Sequence, residues 1–388
     1  MNMLGNISIE TFLAEYWQKK PLLIRNAFPD YISPIEPDDL AGLAMEEDAE
    51  SRLIFEHGPN NPWELRHGPF SEDDFANLPE KDWTLLVQAV DQWVPELADL
   101  MNHFNFIPKW RLDDLMVSFA PEGGSVGPHF DQYDVFLLQA HGQRHWQIGQ
   151  KCDDNSPLLK NTELKILSDM MVTDEWTLNP GDMLYIPPQY AHNGKALNDC
   201  MTFSIGFRAP SEADIVSHLA DHICSSLSDH DRYSDPDISN ANQNPALIDD
   251  KAIERIQNII NSQLKDPDTL KAWFSHYMTE SKYDALHEPL EDPLEWEEIA
   301  PFFSQETIIT QNETVRWSYY HSSKGLQLVI NGEPLNITQT LNTVEMCEKL
   351  ANQRHTHTSE LGAFIDDAHC QEILLNLFNL NYLYFDEE

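Results

Sequence analysis

Ile9, Phe12, Leu13, Tyr16 and Trp17 recur at the i, i+3, i+4, i+7, i+8 spacing that lays one helical face against a core. Ser8 can cap this run and Pro21 stops it, so the pattern predicts a helix over 8–20. LLIR at 22–25 predicts a short strand. Trp83, Leu86, Val87, Val90 and Trp93 predict a second helical stretch over roughly 82–103.

From about residue 111 the texture changes. LMVSF (115–119), DVFLLQ (134–139), RHWQIG (144–149) and MLYIPP (183–188) are short apolar or alternating runs. PEGGSVGP (121–128), HGQ (141–143) and NPGD (179–182) separate them. Short strands with such punctuation predict a β-sandwich or barrel, and a small barrel can hold one ligand or metal. Helical spacing returns in 211–227, again at Ile253, Ile256, Ile260 and Leu264, and again at Leu270, Trp273, Phe274 and Tyr277. The polar stretch 229–245 reads as loop, and the acidic, Pro-broken 288–298 as a boundary. Beyond it, 315–322 and 326–332 predict a hairpin across SKG. Residues 340–352 and 369–380 read as helices, followed by aromatic YLYF (382–385). A length of 388 residues accommodates two or three such units.

Composition narrows the partners. Lys+Arg number 24 against 65 Asp+Glu, a formal charge of −41. Such a chain repels bare nucleic acid and anionic membrane and attracts basic proteins. Acidity of this kind serves solubility, or a salty or cold habitat, equally well. Five scattered cysteines form no CxxC pair, which fits a reducing compartment better than a disulfide framework. The N-terminus lacks a basic-then-apolar signal pattern, and no apolar run approaches the ~20 residues needed to span a bilayer. The expectation is a cytoplasmic protein.

The candidate chemistry is PHFD, with His129 and Asp131 two residues apart, the one His-x-acid pair in the chain. In a strand, residues i and i+2 face the same side, so an imidazole and a carboxylate can converge on one ion. Downstream, LNPGDMLYIPPQYAH places a tight turn, a strand and a stop before His192. Two histidines and one carboxylate form the facial triad of non-haem iron oxygenases, with positions left open. A structural zinc site more often has four closed ligands, commonly cysteines, and none lies beside this motif. HTH at 355–357 reads as loop, and His141 and His145 flank a hairpin without a carboxylate in register. Trp83, Trp93, Trp273 and Trp317 read as core.

These residues resemble the JmjC family, whose double-stranded β-helix carries HxD…H. Within it, the chain looks most like the bacterial ribosomal-protein arginine hydroxylases. The likeness rests on WQKKPLLIRNAF, LAGLAMEEDAESRL, DWTLLVQAV, WRLDDLMVSFAPEGGSVGPHFDQYDVFLLQ, GDMLYIPP, SIGFRAP and YSDPD, and is mainly architectural beyond about residue 290. The resemblance implies Fe(II) held by His129, Asp131 and His192, with 2-oxoglutarate and O2 as cosubstrates. Arg144 matches the basic position that holds the distal carboxylate of 2-oxoglutarate. A guanidinium can do so bidentately, and arginine rather than lysine favours the hydroxylase branch. Without the resemblance, Arg144 reads as a surface strand residue. Ser118 and Thr202 match further cosubstrate positions. The resemblance also implies a peptidyl arginine substrate on ribosomal protein L-sixteen of the large subunit, hydroxylated at its β-carbon. Asp114, Tyr133 and Ser204 match the substrate pocket. Read alone, Asp114 is equally a solvated turn residue and Tyr133 a barrel-core ring.

The expected architecture is α+β, in three segments. An N-terminal helix-and-strand region with the JmjC barrel spans 1–208, a helical dimerisation segment 209–292, and a winged-helix-like domain 293–388. The last segment is not basic, so no direct DNA binding is expected of it. Two rival readings remain. One is a JmjC oxygenase acting on histidine or lysine of another basic protein. The other is a cupin-like protein that binds metal without turnover, or a metal-dependent isomerase.

Overall fold

The computed structural model describes residues 3–56, 63–160, 162–238, 244–282 and 287–386. It divides into two compact units. One comprises Met1–Ala209, Tyr283–Pro289 and Gln311–Thr314; the other comprises Pro210–Lys282, Leu290–Thr310 and Val315–Glu388.

In the first unit, Ser8 caps α1 (Ile9–Glu15) by accepting a hydrogen bond from the Thr11 amide at 3.2 Å. The helix ends earlier than its periodicity predicts, and Gln18 turns the chain through φ +57 before β1 (Leu22–Ile24). There follow α2 (Pro37–Leu43), β2 (Ser51–Glu56), β3 (Trp63–His67) and α3 (Glu72–Ala76). The stretch predicted as one helix over 82–103 is instead three elements. Trp83–Val87 form strand β4, Val90–Gln92 a 3-10 turn, and Pro95–Met101 helix α4. A short run apolar on every side suits a buried strand as well as a helix. Here all five β4 residues are buried, and β4 pairs with β2 on one edge and β5 (Leu112–Ala120) on the other.

The barrel strands continue as β6 (Val135–His141), β7 (Arg144–Lys151), β8 (Asp174–Leu178), β9 (Met183–Ile186), β10 (Tyr190–Ala196) and β11 (Cys200–Phe207). An eight-stranded antiparallel sheet has the order β1-β9-β6-β11-β5-β4-β2-β3, and a three-stranded sheet the order β10-β7-β8. Strand alternation sorts the side chains. Leu115 and Val117 of β5, Phe136 and Leu138 of β6, Met183 and Tyr185 of β9, and Phe203 and Ile205 of β11 join one core with Phe12, Leu97 and Phe104 from the helical layer. The alternate positions face the other way. There Val135, Leu137, Leu184 and Ile186 pack with Trp146, Ile148 and Leu178 of the small sheet.

The PGD turn between β8 and β9 returns the chain towards the site. Gly181 takes φ +85, and a Cβ there would lie 2.2 Å from the Phe28 carbonyl oxygen, so this position needs glycine. Burial opposes ionisation of Asp182. The Asn179 and Asn26 amides and the Arg25 guanidinium, 2.6 Å away, outweigh it and hold the carboxyl below its usual range.

The second unit contains α5 (Glu212–Ser226), α6 (Asp250–Gln263), α7 (Pro267–Thr279), α8 (Trp296–Ile299), β12 (Ile308–Gln311) up to Thr310, β13 (Trp317–Ser322), β14 (Gly325–Ile330), β15 (Glu333–Leu335), α9 (Leu341–Asn352), β16 (His355–His357), α10 (Ala368–Asn379) and β17 (Leu383–Phe385). β13 and β14 form the predicted hairpin, pairing Ser322 with Gly325. Trp317, Leu328, Met346, Leu350, Leu374 and Phe378 belong to its own core, and α7 packs on β13 and β14. HTH at 355–357 is strand β16 rather than loop, because it pairs with β12. Its His355 Nδ1 lies 2.9 Å from Thr310 Oγ1.

Candidate metal and cosubstrate site

His129 does not lie in a long strand. It makes a single two-way bridge with His192: the His129 amide donates to the His192 carbonyl at 3.0 Å, and the His192 amide donates to the His129 carbonyl at 2.8 Å. The Gln189 amide donates to the Asp131 carbonyl at 2.7 Å, so the HxD segment is laid against the start of β10. The loop after Asp131 is pinned by Asp134. This wholly buried carboxylate accepts from Tyr185 Oη at 2.6 Å, Gln18 Nε2 at 3.0 Å and Arg111 Nη2 at 3.3 Å. Burial nevertheless pushes its carboxyl above the usual range.

This framework brings donor atoms of His129, Asp131 and His192 within 4.8 Å of one another. Each imidazole is fixed by the same device. His129 Nδ1 lies 2.9 Å from the Gly127 carbonyl and His192 Nδ1 lies 3.0 Å from the Tyr190 carbonyl. A carbonyl only accepts, so each Nδ1 carries the proton and each Nε2 presents a lone pair. His192 Nε2 is 3.5 Å from Asp131 Oδ2. Burial, then the neighbouring His129, push the His192 pKa down to about 4, against the pull of Asp131, so this imidazole is neutral at physiological pH. Two imidazoles and one carboxylate on one side of an ion fit a divalent iron, and among the described residues no cysteine joins them.

The interior face beside this triad is polar where the sheet core would otherwise be aliphatic. Ser118 pairs across the sheet with Thr202. Ser118 Oγ donates to the Thr202 carbonyl at 3.3 Å, and Thr202 Oγ1 donates to Gln139 Oε1 at 3.2 Å. Arg144 is not a surface residue: it is 2% exposed, and its Nε and Nη2 have no hydrogen-bond partner. On the same face of β7, Trp146 Nε1 is also buried without a partner. The Arg144 Cζ lies 5.7 Å from the Trp146 ring, and that ring lies 6.1 Å from His192. Unpaired buried donors are costly, so this arrangement calls for an anion with several acceptor oxygens.

Asp114 is also not a solvated turn residue; it is 5% exposed, and Gln88 Nε2 donates to its Oδ2 at 2.7 Å. Ser204, two residues along β11 from Thr202, is half-buried on the same face. Tyr133 is 42% exposed, not core. The charge of Asp131, joined by that of Asp114, pushes its phenol far above the ordinary range, so it stays protonated. The two discounted histidines lie elsewhere. His141 is exposed, and His145 does meet a carboxylate, Glu175, at 3.5 Å on the outer face of the small sheet. Sequence reasoning missed Arg52, Gln88, Gln139 and Trp146. Each is a single residue on a separate strand or at its end, with no spacing to mark it.

A divalent-metal triad inside a double-stranded β-helix, beside a buried unpaired arginine, defines the 2-His-1-carboxylate oxygenase class. A JmjC domain model matches residues 99–215 and a ROXA-like winged helix model residues 261–384. The chain is 34% identical over 375 residues to the ribosomal protein uL16 3-hydroxylase of Escherichia coli K12, covering 97% of each chain. It is 36% identical over 356 residues to a probable ribosomal oxygenase of Haemophilus influenzae, spanning 88% of this chain and 84% of that one. The solved structure of the E. coli ribosomal oxygenase YcfD with cobalt and 2-oxoglutarate superposes with TM-score 0.86 at 32% identity, covering 99% of each chain. The chain belongs to the JmjC-domain ribosomal oxygenases.

Proposed function

We infer that this chain is an Fe(II)- and 2-oxoglutarate-dependent hydroxylase of ribosomal protein uL16, acting on an arginine β-carbon. The observation that carries the reading is the buried Arg144, with two unpaired donors, on the interior face that also bears the triad. His129, Asp131 and His192 are the residues to hold the iron. When bound, the iron couples oxidation of 2-oxoglutarate by O2, giving succinate and CO2, to insertion of one oxygen atom into a substrate C–H bond. The protein's part is positioning. Arg144 receives the distal carboxylate of the cosubstrate through a two-pronged contact, and Ser118 and Thr202 add hydroxyl groups along the same wall. Val135, Leu137, Leu184 and Ile186 keep the surrounding space dry, which strengthens each polar contact.

Asp114 receives the substrate guanidinium, Tyr133 packs against its plane and Ser204 supplies a hydrogen bond. A desolvated guanidinium without an acid partner would bind poorly, and the formal charge of −41 draws a basic ribosomal protein towards the enzyme. Arg144 beside a complete triad favours an oxygenase over a non-catalytic metal binder. Mass spectrometry of uL16 incubated with enzyme, Fe(II) and 2-oxoglutarate tests the reading. One added oxygen on an arginine, matched by succinate, is expected; succinate with oxygen on histidine or lysine would reassign the target, and no succinate would refute the class.

The remaining partners follow from surface chemistry. Neither α5 nor α6 buries a residue, and Ile253, Ile256 and Ile260 of α6 are 48%, 44% and 57% exposed. Such a row is best covered by a second copy, so a homodimer formed through residues 209–292 is the proposed assembly. The winged-helix segment 293–388 serves protein contact rather than DNA, which the protein's acidity repels. All five cysteines are unpaired, as suits the cytoplasm, and no described helix is long and apolar enough to cross a membrane.

A further inference from the structure

Asp114 is held by more than its own strand. The Leu115 amide donates to Asp91 Oδ1 at 2.8 Å, which fixes the backbone beside it. Gln88 Nε2 donates to the carboxylate itself at 2.7 Å. On the other side of the same amide, Arg52 Nη2 donates to Gln88 Oε1 at 3.2 Å. Gln88 directly follows β4, and its backbone amide donates to the Glu50 carbonyl at 2.9 Å. The next residue, Ala89, is buried in the left-handed region at φ +50, so the chain leaves β4 abruptly at this point.

The polarity of this chain of groups is unique. A guanidinium only donates and a carboxylate only accepts. The Gln88 amide must therefore turn its oxygen to Arg52 and its nitrogen to Asp114, and a flip would lose both contacts. An isolated aspartate rotates broadly about its terminal torsion. The fixed donor removes that freedom from Asp114. A guanidinium ligand presents its donors in a rigid planar fork, so an acid already set at one angle binds it at lower cost.

We propose that Gln88 is a positioning residue that sets the Asp114 carboxylate for the substrate guanidinium, with Arg52 fixing the orientation of the Gln88 amide. This rests on Asp114 being the acid that meets the substrate. Gln88 touches neither metal nor cosubstrate in this role; it acts through Asp114 and so governs affinity for the arginine peptide.

The test uses the full-length enzyme, an arginine-containing uL16 peptide and the variants Gln88→Glu, Gln88→Leu, Asp114→Ala and the Gln88→Glu/Asp114→Ala double. Gln88→Glu keeps the shape and the Arg52 contact but turns a carboxylate towards Asp114; Gln88→Leu removes the donor at similar volume. Either variant is expected to raise the peptide KM about tenfold, the loss of one hydrogen bond to a charged group. The kcat at saturating peptide and the 2-oxoglutarate affinity should stay within about twofold. In the Asp114→Ala background, Gln88→Glu should add little, because the group it positions is gone. If Asp114→Ala leaves the peptide KM unchanged, the assignment of the substrate acid fails and this inference with it. If Asp114→Ala raises KM but both Gln88 variants leave it unchanged, or if their effects multiply with that of Asp114→Ala, the positioning role alone is refuted. Should Gln88→Glu not fold, Gln88→Leu decides by the same readouts.

Discussion

Replacing Arg144 with methionine separates binding from stability, because one residue controls both in opposite directions. Arg144 is 2% exposed with Nε and Nη2 unpartnered, so without cosubstrate the fold carries a buried cation short of hydrogen bonds. Two unsatisfied donors cost about 1–3 kcal/mol each, offset by about 0.5–1 kcal/mol from the loosely stacked Trp146 ring. An apolar side chain of similar length removes that cost. Experience with buried charges replaced by hydrophobes gives a net gain of roughly 1–4 kcal/mol. For a unit of this size that raises the melting temperature by about 2–10 °C. The same change should weaken cosubstrate capture, since removing one partner of a desolvated charge pair costs about 2–5 kcal/mol, some thirty- to several-thousand-fold in affinity. The assay is thermal melting of Mn(II)-loaded protein with and without 2-oxoglutarate, beside calorimetric titration. At about a hundredfold excess over Kd, wild-type protein should gain about 2.7 kcal/mol from the ligand, and Arg144→Met should gain less than about 0.9 kcal/mol while starting from a higher melting point. Arg144→Lys keeps the charge but loses the fork, so it should bind with intermediate affinity. A methionine variant that binds 2-oxoglutarate normally would refute the assignment. One that melts well below wild type would show that the guanidinium is structural.

Three further outcomes are expected. His129→Ala and Asp131→Ala should each abolish succinate formation and weaken Mn(II) binding in titration while leaving the far-UV circular dichroism unchanged; normal turnover in either removes the triad. Gly194→Ala should destabilise the barrel by roughly 1–3 kcal/mol in urea unfolding, because its Cβ would lie 2.7–2.9 Å from the buried Trp146 ring, and an unchanged midpoint would mean that the ring can yield. Ile256→Glu with Ile260→Glu should convert a dimer into monomers in analytical ultracentrifugation, and a wild-type chain that sediments as a monomer at micromolar concentration would rule out the proposed assembly.

Local signals settled a great deal. Ser8, the PGD turn and the strand runs of the barrel are short-range features, and each forms where its own few residues dictate. LMVSF and RHWQIG read as strands from their own composition, and in a strand side chains face opposite sides in turn. The partners of a strand are set by the rest of the chain, and here the tertiary structure decided. WTLLV at 83–87 became a strand because β2 and β5 stand on either side of it, although its apolar spacing suits a helix. Arg144 is buried rather than exposed because the large sheet covers its face of β7. Asp114, Gln88 and Arg52 form one hydrogen-bonded series although they leave β5, β4 and β2 separately. The sequence by itself determined which residues are able to bind metal, anion or guanidinium. Which of them share one dry interior depended on strand order, a long-range choice made by burying the whole apolar face at once.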